Sequence, residues 1–77
     1  MAPVTILARV QSIWGEAAGA RLAKVANPTK EHDGVLTITC SSAAWAQEID
    51  LMSSVLIEQL NKALGSPYIR QLRCRTE

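Results

Sequence analysis

The chain has 77 residues, of which 48% are hydrophobic, and a formal net charge of +1. A chain of this length builds one small core, which argues against a deep enzymatic cleft, and it has no run of the ~18 apolar residues that span a bilayer. Two cysteines without a Cys-x-x-Cys spacing and a single histidine exclude a four-ligand zinc site. We therefore expect one domain over residues 1–77, in the cytoplasm, with reduced thiols and without a metal or cofactor.

The first predicted element is a helix from about residue 3 to about residue 25. Pro3 suits the first turn of a helix, and apolar residues recur along the segment at three- and four-residue spacing. Because glycine weakens a helix, Gly15 and Gly19 predict a kink or split near Gly15. The Asn27-Pro28 dipeptide ends the helix, since proline disfavours helical geometry in the residue before it.

A β-hairpin follows, with its turn at Asp33-Gly34. Such a two-residue turn needs positive φ angles, which Asp and Gly tolerate, and it predicts strands at about 27–32 and 35–41. Proline donates no ladder hydrogen bond, so Pro28 makes the first strand an edge strand. The expected cross-strand pairs are Val35 with His32, Thr37 with Lys30, and Thr39 with Pro28.

A second long helix begins at Ser41 or Ser42, either of which can cap it, and ends at Gly65. Its apolar residues again have the spacing of a helix that is packed on one side. The core-facing stripe is Trp45, Ile49, Met52, Leu56, Leu60 and Ala63.

The last run, from Tyr68 to Arg75, reads as a third strand because apolar and polar residues alternate along it. The order α-β-β-α-β predicts a two-layer α+β fold in which both helices cover one face of a three-stranded sheet. The opposite face is expected to be exposed and to carry Lys30, His32, Thr37, Thr39, Gln71, Arg73 and Arg75.

No segment has the Gly-Lys-Ser/Thr turn of a P-loop, a nucleophile motif or a metal-binding motif, so the sequence predicts a binding protein rather than an enzyme. KH modules clamp a nucleic-acid backbone with a Gly-x-x-Gly loop, and no two glycines of this chain have that spacing. Trp14 and Trp45 are candidates for stacking on bases. Both, however, lie on core-facing stripes, which predicts that they are buried.

Four short patterns follow one another along residues 13–75: a Trp-Gly pair, a proline, an Asp-Gly turn and a Trp-Ala-Gln-Glu segment. In their order and spacing they resemble the DciA family of bacterial helicase-loading proteins, and the likeness covers nearly the whole chain. The residues that match this pattern, most of them architectural by physical reasoning, are Trp14, Gly15, Pro28, Gly34 and Trp45.

This resemblance implies a KH-like core and a role in starting DNA replication. Members of the family bind a replicative DnaB-type helicase and DNA, and they assist helicase loading without hydrolysing ATP. They often carry an additional flexible tail. Contacts with single-stranded or duplex DNA are then expected from the exposed basic residues, which are Arg21, Lys24, Lys30, Lys62, Arg70, Arg73 and Arg75.

Two alternatives stay open at this stage. The first is an RNA-binding KH-like module, which the same sheet and charges would serve, although the missing Gly-x-x-Gly loop weakens it. The second is a purely protein-binding domain, for example a homodimer formed through the edge strand at 27–32 or around Val35 and Ile69. The sequence leaves open the oligomeric state and the preferred type of nucleic acid.

Overall fold

The computed structural model describes residues 5–76, which form an α+β fold with helices on one face of a three-stranded sheet. The order predicted from the sequence is confirmed, but each helical segment is divided in two. The KH-like assignment stays a prediction, and the predicted helix start at Pro3 lies outside the described residues. The elements are α1 (Ile6–Ala18), α2 (Ala20–Ala23), β1 (Ala26–His32), β2 (Val35–Cys40), α3 (Ala43–Leu51), α4 (Ser53–Leu64) and β3 (Gln71–Thr76).

The sheet has the order β1-β2-β3, so β2 is central and the predicted edge position of β1 is confirmed. β1 pairs antiparallel with β2 through the hairpin, in which Asp33 (φ 50°) and Gly34 (φ 85°) both have positive φ, as predicted. β3 pairs parallel with β2, because α3 and α4 carry the chain back across one face of the sheet.

A β-bulge at Thr29 changes the register of the hairpin. The predicted pairs next to the turn are correct, but Thr39 pairs with Asn27 rather than with Pro28, which lies opposite Ile38. The bulge adds one residue to β1, so side chains beyond it change faces. Pro28 is therefore buried on the helix side of the sheet, where its carbonyl accepts a hydrogen bond from Gln11 Nε2 at 3.1 Å.

The first helical segment splits at Gly19, so the prediction of a split near Gly15 is wrong. Gly15 lies within α1, whereas Gly19 has a φ of 94°, a backbone geometry that favours glycine. Gly19 ends α1, and the short α2 starts directly after it with Leu22 buried against the core. The position of the positive φ angle decides where the helix breaks.

The second helical segment also differs from the prediction, because it breaks at Met52 into α3 and α4. The Met52 amide donates to both Glu48 O and Ile49 O, which tightens and ends the last turn of α3. The break lets α3 pack on β2 and β3 while α4 packs on α1. It also shifts the apolar stripe of α4, so Leu64 is buried and Ala63, which was predicted to face the core, is exposed.

Residues 68–70 precede β3 rather than forming its start. The side chain of Asn61 on α4 holds this segment, since its Oδ1 accepts from Ile69 N at 2.8 Å and its Nδ2 donates to Ile69 O at 2.9 Å. These bonds replace the ladder bonds that a strand would make there. Ile69 is buried, with 2% of its surface exposed, so its side chain does not contribute to the dimer contact that was predicted around Val35 and Ile69. The homodimer itself stays a prediction.

The core lies between the sheet and the helices and is fully apolar among the described residues. Trp14 lies within it at 3% exposure, and its indole Nε1 donates to Ala26 O at 2.8 Å. The predicted burial of Trp14 is thus confirmed. The largest fully buried side chains are Leu36, Ile38, Ile49, Leu56, Leu60, Ile69, Val10 and Cys40.

Substitution of Gly34 by alanine is expected to destabilise the protein by about 2 kcal/mol, more than the same change at Gly65. A Cβ at Gly34 would lie 3.0 Å from Tyr68 O and 3.0 Å from Arg70 Cγ, in addition to the strain of its positive φ. Gly65 has a similar φ of 81° but open space around a Cβ, so Gly65→Ala reports the strain alone. Urea unfolding of both variants measures the difference, and equal losses would contradict the close packing at Gly34.

Candidate nucleic-acid interface

The outer face of the sheet brings three basic side chains together. Lys30 on β1 lies opposite Thr37 on β2, which lies opposite Arg73 on β3, so Lys30 and Arg73 flank one threonine across the sheet. In the next row Thr39 lies beside Arg75. Residues two apart on a strand point to the same face at a spacing of about 6.6 Å, so Arg73 and Arg75 form a pair along the sheet edge.

These rows border a shallow depression of about 540 Å³ on the sheet surface, lined by Thr29, Lys30, Thr37, Thr39, Arg73, Cys74 and Arg75. The hydroxyls of Thr29 and Thr39 lie 2.9 Å apart and hydrogen-bond to each other. A second hollow of about 210 Å³ adjoins it around His32 and Val35 and shares Lys30 and Arg73 with it. The face thus offers cationic groups and hydroxyls along one polar surface.

No acidic side chain lies on this face within the described strands. Glu31 faces the helix side of the sheet opposite Leu36, and its Oε2 accepts from Gly34 N at 2.8 Å. Over residues 5–76 the one ion pair is between neighbouring His32 and Asp33 at the hairpin turn, with Nε2 and Oδ2 3.2 Å apart. Lys30, Arg73 and Arg75 therefore present their charges to solvent without a carboxylate partner in the described part of the chain.

The other predicted basic residues lie elsewhere, although all are exposed as expected. Arg21 and Lys24 belong to α2 and its end, and Lys62 lies in the last turn of α4, so these three are on the helix layer. Arg70 precedes β3, where its side chain lies against the hairpin turn at Gly34. The structure brings together Lys30, Arg73 and Arg75 and leaves the remaining four apart from them.

Trp45 is only partly buried, so its predicted burial is confirmed in part. The guanidinium of Arg21 lies over its ring, 5.4 Å from the centroid, within the range of a cation–π contact. A hollow of about 220 Å³ between α2 and α3 is lined by both residues together with Glu48 and Met52. The partner of Arg21 is therefore an aromatic ring of the same chain, which ties α2 to α3.

Sequence reasoning overlooked an exposed apolar pair at the junction of α3 and α4. Leu51 is 77% exposed and Val55 is 53% exposed, and they lie on either side of the helix break at Met52. Exposed acidic residues, Asp50 and Glu58, lie nearby in the sequence on the same helices. The available signal was that Leu51 and Val55 are apolar but fall outside the core-facing stripe.

The two thiols are neighbours on the helix side of β2 and β3, and burial raises the pKa of each. For Cys74 burial is the largest cause. The neighbouring Cys40 thiol and Asp50 carboxylate raise the pKa of Cys74 further, to about 11. For Cys40 a hydrogen bond with Cys74 partly opposes the effect of burial on the pKa. Both cysteines are free, and thiols with raised pKa values react slowly.

Alkylation by iodoacetamide is expected to reflect this raised pKa. In the folded protein the rate at Cys74 should keep rising above pH 9 and reach half its maximum near pH 11, because only the thiolate reacts. In urea the midpoint should return to the ordinary thiol pKa of 9.0. Mass spectrometry with Cys74→Ser as the control assigns the signal, and a folded-state midpoint near pH 9 would contradict the burial of this thiol.

Residues 5–76 contain no cluster of three or more His, Cys, Asp or Glu side chains that would hold a metal ion. Among the helices of the same range, none is long and apolar enough to cross a membrane.

Comparison with known proteins identifies a family for nearly the whole chain. The family model described as "Dna[CI] antecedent, DciA" matches residues 2–74. The match includes all three strands except the end of β3 and all four helices of the described range.

Several curated relatives carry the name UPF0232 protein. The chain is 35% identical to the relative in Mycobacterium ulcerans over 60 residues, which is 78% of this chain and 32% of that protein. It is 32% identical to one in Rhodococcus jostii (90% and 35%) and 36% identical to one in Streptomyces avermitilis (83% and 36%). The chain therefore spans about a third of the length of these relatives.

Proposed function

Because the chain belongs to the DciA family, we propose that it acts in the start of DNA replication, binding a replicative DnaB-type helicase and DNA and assisting helicase loading. In this role it is a non-enzymatic factor of the bacterial cytoplasm, and ATP hydrolysis belongs to the helicase. The sequence contains no P-loop, which supports the assignment of ATP hydrolysis to the helicase.

The observation that carries the DNA-binding part is the basic outer face of the sheet. Lys30, Arg73 and Arg75 are exposed there, and no carboxylate shares the face in the described strands. Cations in such a position bind phosphates and release counterions from the nucleic acid. The spacing of about 6.6 Å between Arg73 and Arg75 is of the same order as that of successive phosphates along a nucleic-acid strand. Because the proposed role is to assist helicase loading onto single strands, we take single-stranded DNA as the ligand of this face.

The apolar pair Leu51 and Val55 supports a separate surface for the helicase. Exposed leucine and valine side chains gain free energy when a partner covers them, at roughly 25 cal/mol for each Å² of apolar surface. The pair lies on the helix layer, whereas the basic residues Lys30, Arg73 and Arg75 lie on the outer face of the sheet. Two surfaces on different layers allow helicase and DNA to be bound at the same time.

Fluorescence anisotropy with labelled single-stranded DNA, duplex DNA and RNA tests the DNA-binding part. Affinity is expected to be highest for single-stranded DNA and to fall as salt increases, because phosphate contacts release counterions. Tighter binding to RNA would replace this proposal with the RNA-binding alternative. Absence of binding to all three at low salt would remove nucleic-acid binding from this segment.

Substitution of Leu51 and Val55 by serine tests the helicase surface. Both side chains are exposed, so the double variant should keep its stability within about 1 kcal/mol while losing affinity for a DnaB-type helicase in a direct binding assay. Its affinity for DNA should not change. Helicase binding as tight as that of the unmodified chain would place the helicase contact elsewhere.

A further inference from the structure

The two edges of the sheet differ in how they are protected. β1 carries Pro28 and the bulge at Thr29, both of which prevent another strand from pairing along it. β3 pairs with β2 without interruption from Gln71 to Thr76 and contains no proline, glycine or bulge. In the part of the chain that the structure describes, no strand pairs with the other edge of β3. In this part of the chain the outer edge of β3 is therefore free to pair with another strand over six residues.

Main-chain groups along this edge are free to pair. Gln71 N donates to Gly34 O at 3.2 Å, so the amide of Gln71 points towards β2. Successive amides of a strand point in opposite directions, and the amides of Leu72 and Cys74 accordingly point towards the open edge. An extended peptide offers donors and acceptors at the matching spacing.

A groove of about 430 Å³ runs between this edge and α3. Its walls are Ala46, Gln47 and Asp50 on the helix and Leu72, Arg73 and Cys74 on the strand. Side chains of an added strand would alternate between two environments. One set would enter the groove, where Ala46 and Leu72 offer apolar contacts and the carboxylate of Asp50 disfavours acidic side chains. The other set would lie on the outer face beside Arg73 and Arg75.

The positive charges of Arg73 and Arg75 on β3 determine which kind of strand can pair with this edge. In an antiparallel pair of two β3 strands, side chains on the same face lie opposite one another, so Arg73 would face Arg73 or Arg75 of the second copy. Like charges in directly opposed positions are destabilising, which disfavours a dimer formed through this edge. Opposite charges in these positions are stabilising, so a strand with carboxylates at alternate positions fits.

From these observations we propose that β3 accepts an extended, acidic segment of a partner protein as a fourth strand. The acidic side chains of this segment pair with Arg73 and Arg75, and its apolar side chains enter the groove beside α3. This inference goes beyond the DNA-binding role but shares two arginines with it. The acidic strand and single-stranded DNA therefore compete for the outer end of the same face.

Amide hydrogen exchange of the 77-residue chain with a synthetic peptide of alternating glutamate and valine tests the proposal. At a peptide concentration ten times its Kd, exchange at Leu72 and Cys74 should slow by about tenfold, while the amides of β1 keep their rates. A peptide methylated on every main-chain nitrogen keeps its charges but has no donors on either edge, so it should give no protection. Lysine in place of glutamate should also abolish protection.

Three outcomes would overturn the proposal: no protection by the glutamate peptide, equal protection by the methylated peptide, or protection of Leu72 and Cys74 by single-stranded DNA but not by peptide. The last outcome would assign the edge to nucleic acid. The peptide and the DNA are titrated separately, so failure of peptide binding leaves the DNA-binding role standing and failure of DNA binding leaves strand addition standing. The double variant Arg73→Ala with Arg75→Ala should have a lower affinity for the glutamate peptide. It should fold normally, since both side chains are exposed.

Discussion

Replacement of Arg73 and Arg75 by glutamate is expected to lower the affinity for single-stranded DNA by at least about tenfold at ~50 mM salt. Both residues lie on the outer face beside Lys30 and Thr39. Their replacement removes two phosphate contacts and introduces two repelling carboxylates. If both arginines contact phosphates, the slope of log affinity against log salt should also fall in magnitude by about 1.4.

The matched control reverses the charge of Lys24 and Lys62, which lie on the helix layer. This variant has the same net charge as the Arg73 and Arg75 variant, so it separates a local contact from the effect of total charge. We expect it to lose much less affinity and to keep nearly the full salt dependence. Equal losses in both variants would show that DNA responds to the overall charge and that the sheet face has no special part in binding.

Truncation of Trp14 to alanine is expected to cost about 3 to 5 kcal/mol of unfolding free energy. Its side chain is almost fully buried and its Nε1 donates to Ala26 O, so the change leaves both a cavity and an unpaired buried carbonyl. A domain of this size is stable by only ~4 to 12 kcal/mol, and the variant should be close to unfolded at 37 °C. Urea unfolding followed by far-UV circular dichroism measures the loss.

Trp45→Ala is the control for this prediction, since Trp45 is only partly buried and its indole is covered on one side by Arg21. Trp45→Ala should lower the unfolding free energy by less than Trp14→Ala does. Trp14→Phe isolates the hydrogen bond, because phenylalanine fills most of the space but donates nothing to Ala26 O, and it should cost about 1 to 3 kcal/mol. A loss at Trp45 as large as at Trp14 would contradict the assignment of Trp14 to the core.

The features that could be predicted from the sequence have local chemical causes. Asp33-Gly34 fixes the hairpin turn because few other dipeptides adopt two positive φ angles, and the pairs next to the turn follow from it. Alternation along the strands then places Lys30, Arg73 and Arg75 on one face. These three basic residues of the candidate site could therefore be predicted from the sequence to share one face of the sheet.

The features that were missed depend on tertiary packing. No glycine or proline marks the helix break at Met52, which arises because α3 packs on the sheet and α4 packs on α1. The bulge at Thr29 likewise has no local signal, and it reverses the orientation of Pro28. The apolar pattern leaves Leu51 and Val55 outside the core-facing stripe, but it does not indicate the helix junction that lies between them.

Loading of a DnaB-type helicase onto circular single-stranded DNA tests the central claim most directly. Helicase, ATP and the DNA circle are incubated with or without the chain, and the helicase that stays with the DNA is measured after gel filtration. We expect the unmodified chain to increase the loaded fraction, and the variants Arg73→Glu with Arg75→Glu and Leu51→Ser with Val55→Ser to lose this increase. An unchanged loaded fraction with the unmodified chain, under conditions in which it binds both helicase and DNA, would contradict a role in helicase loading.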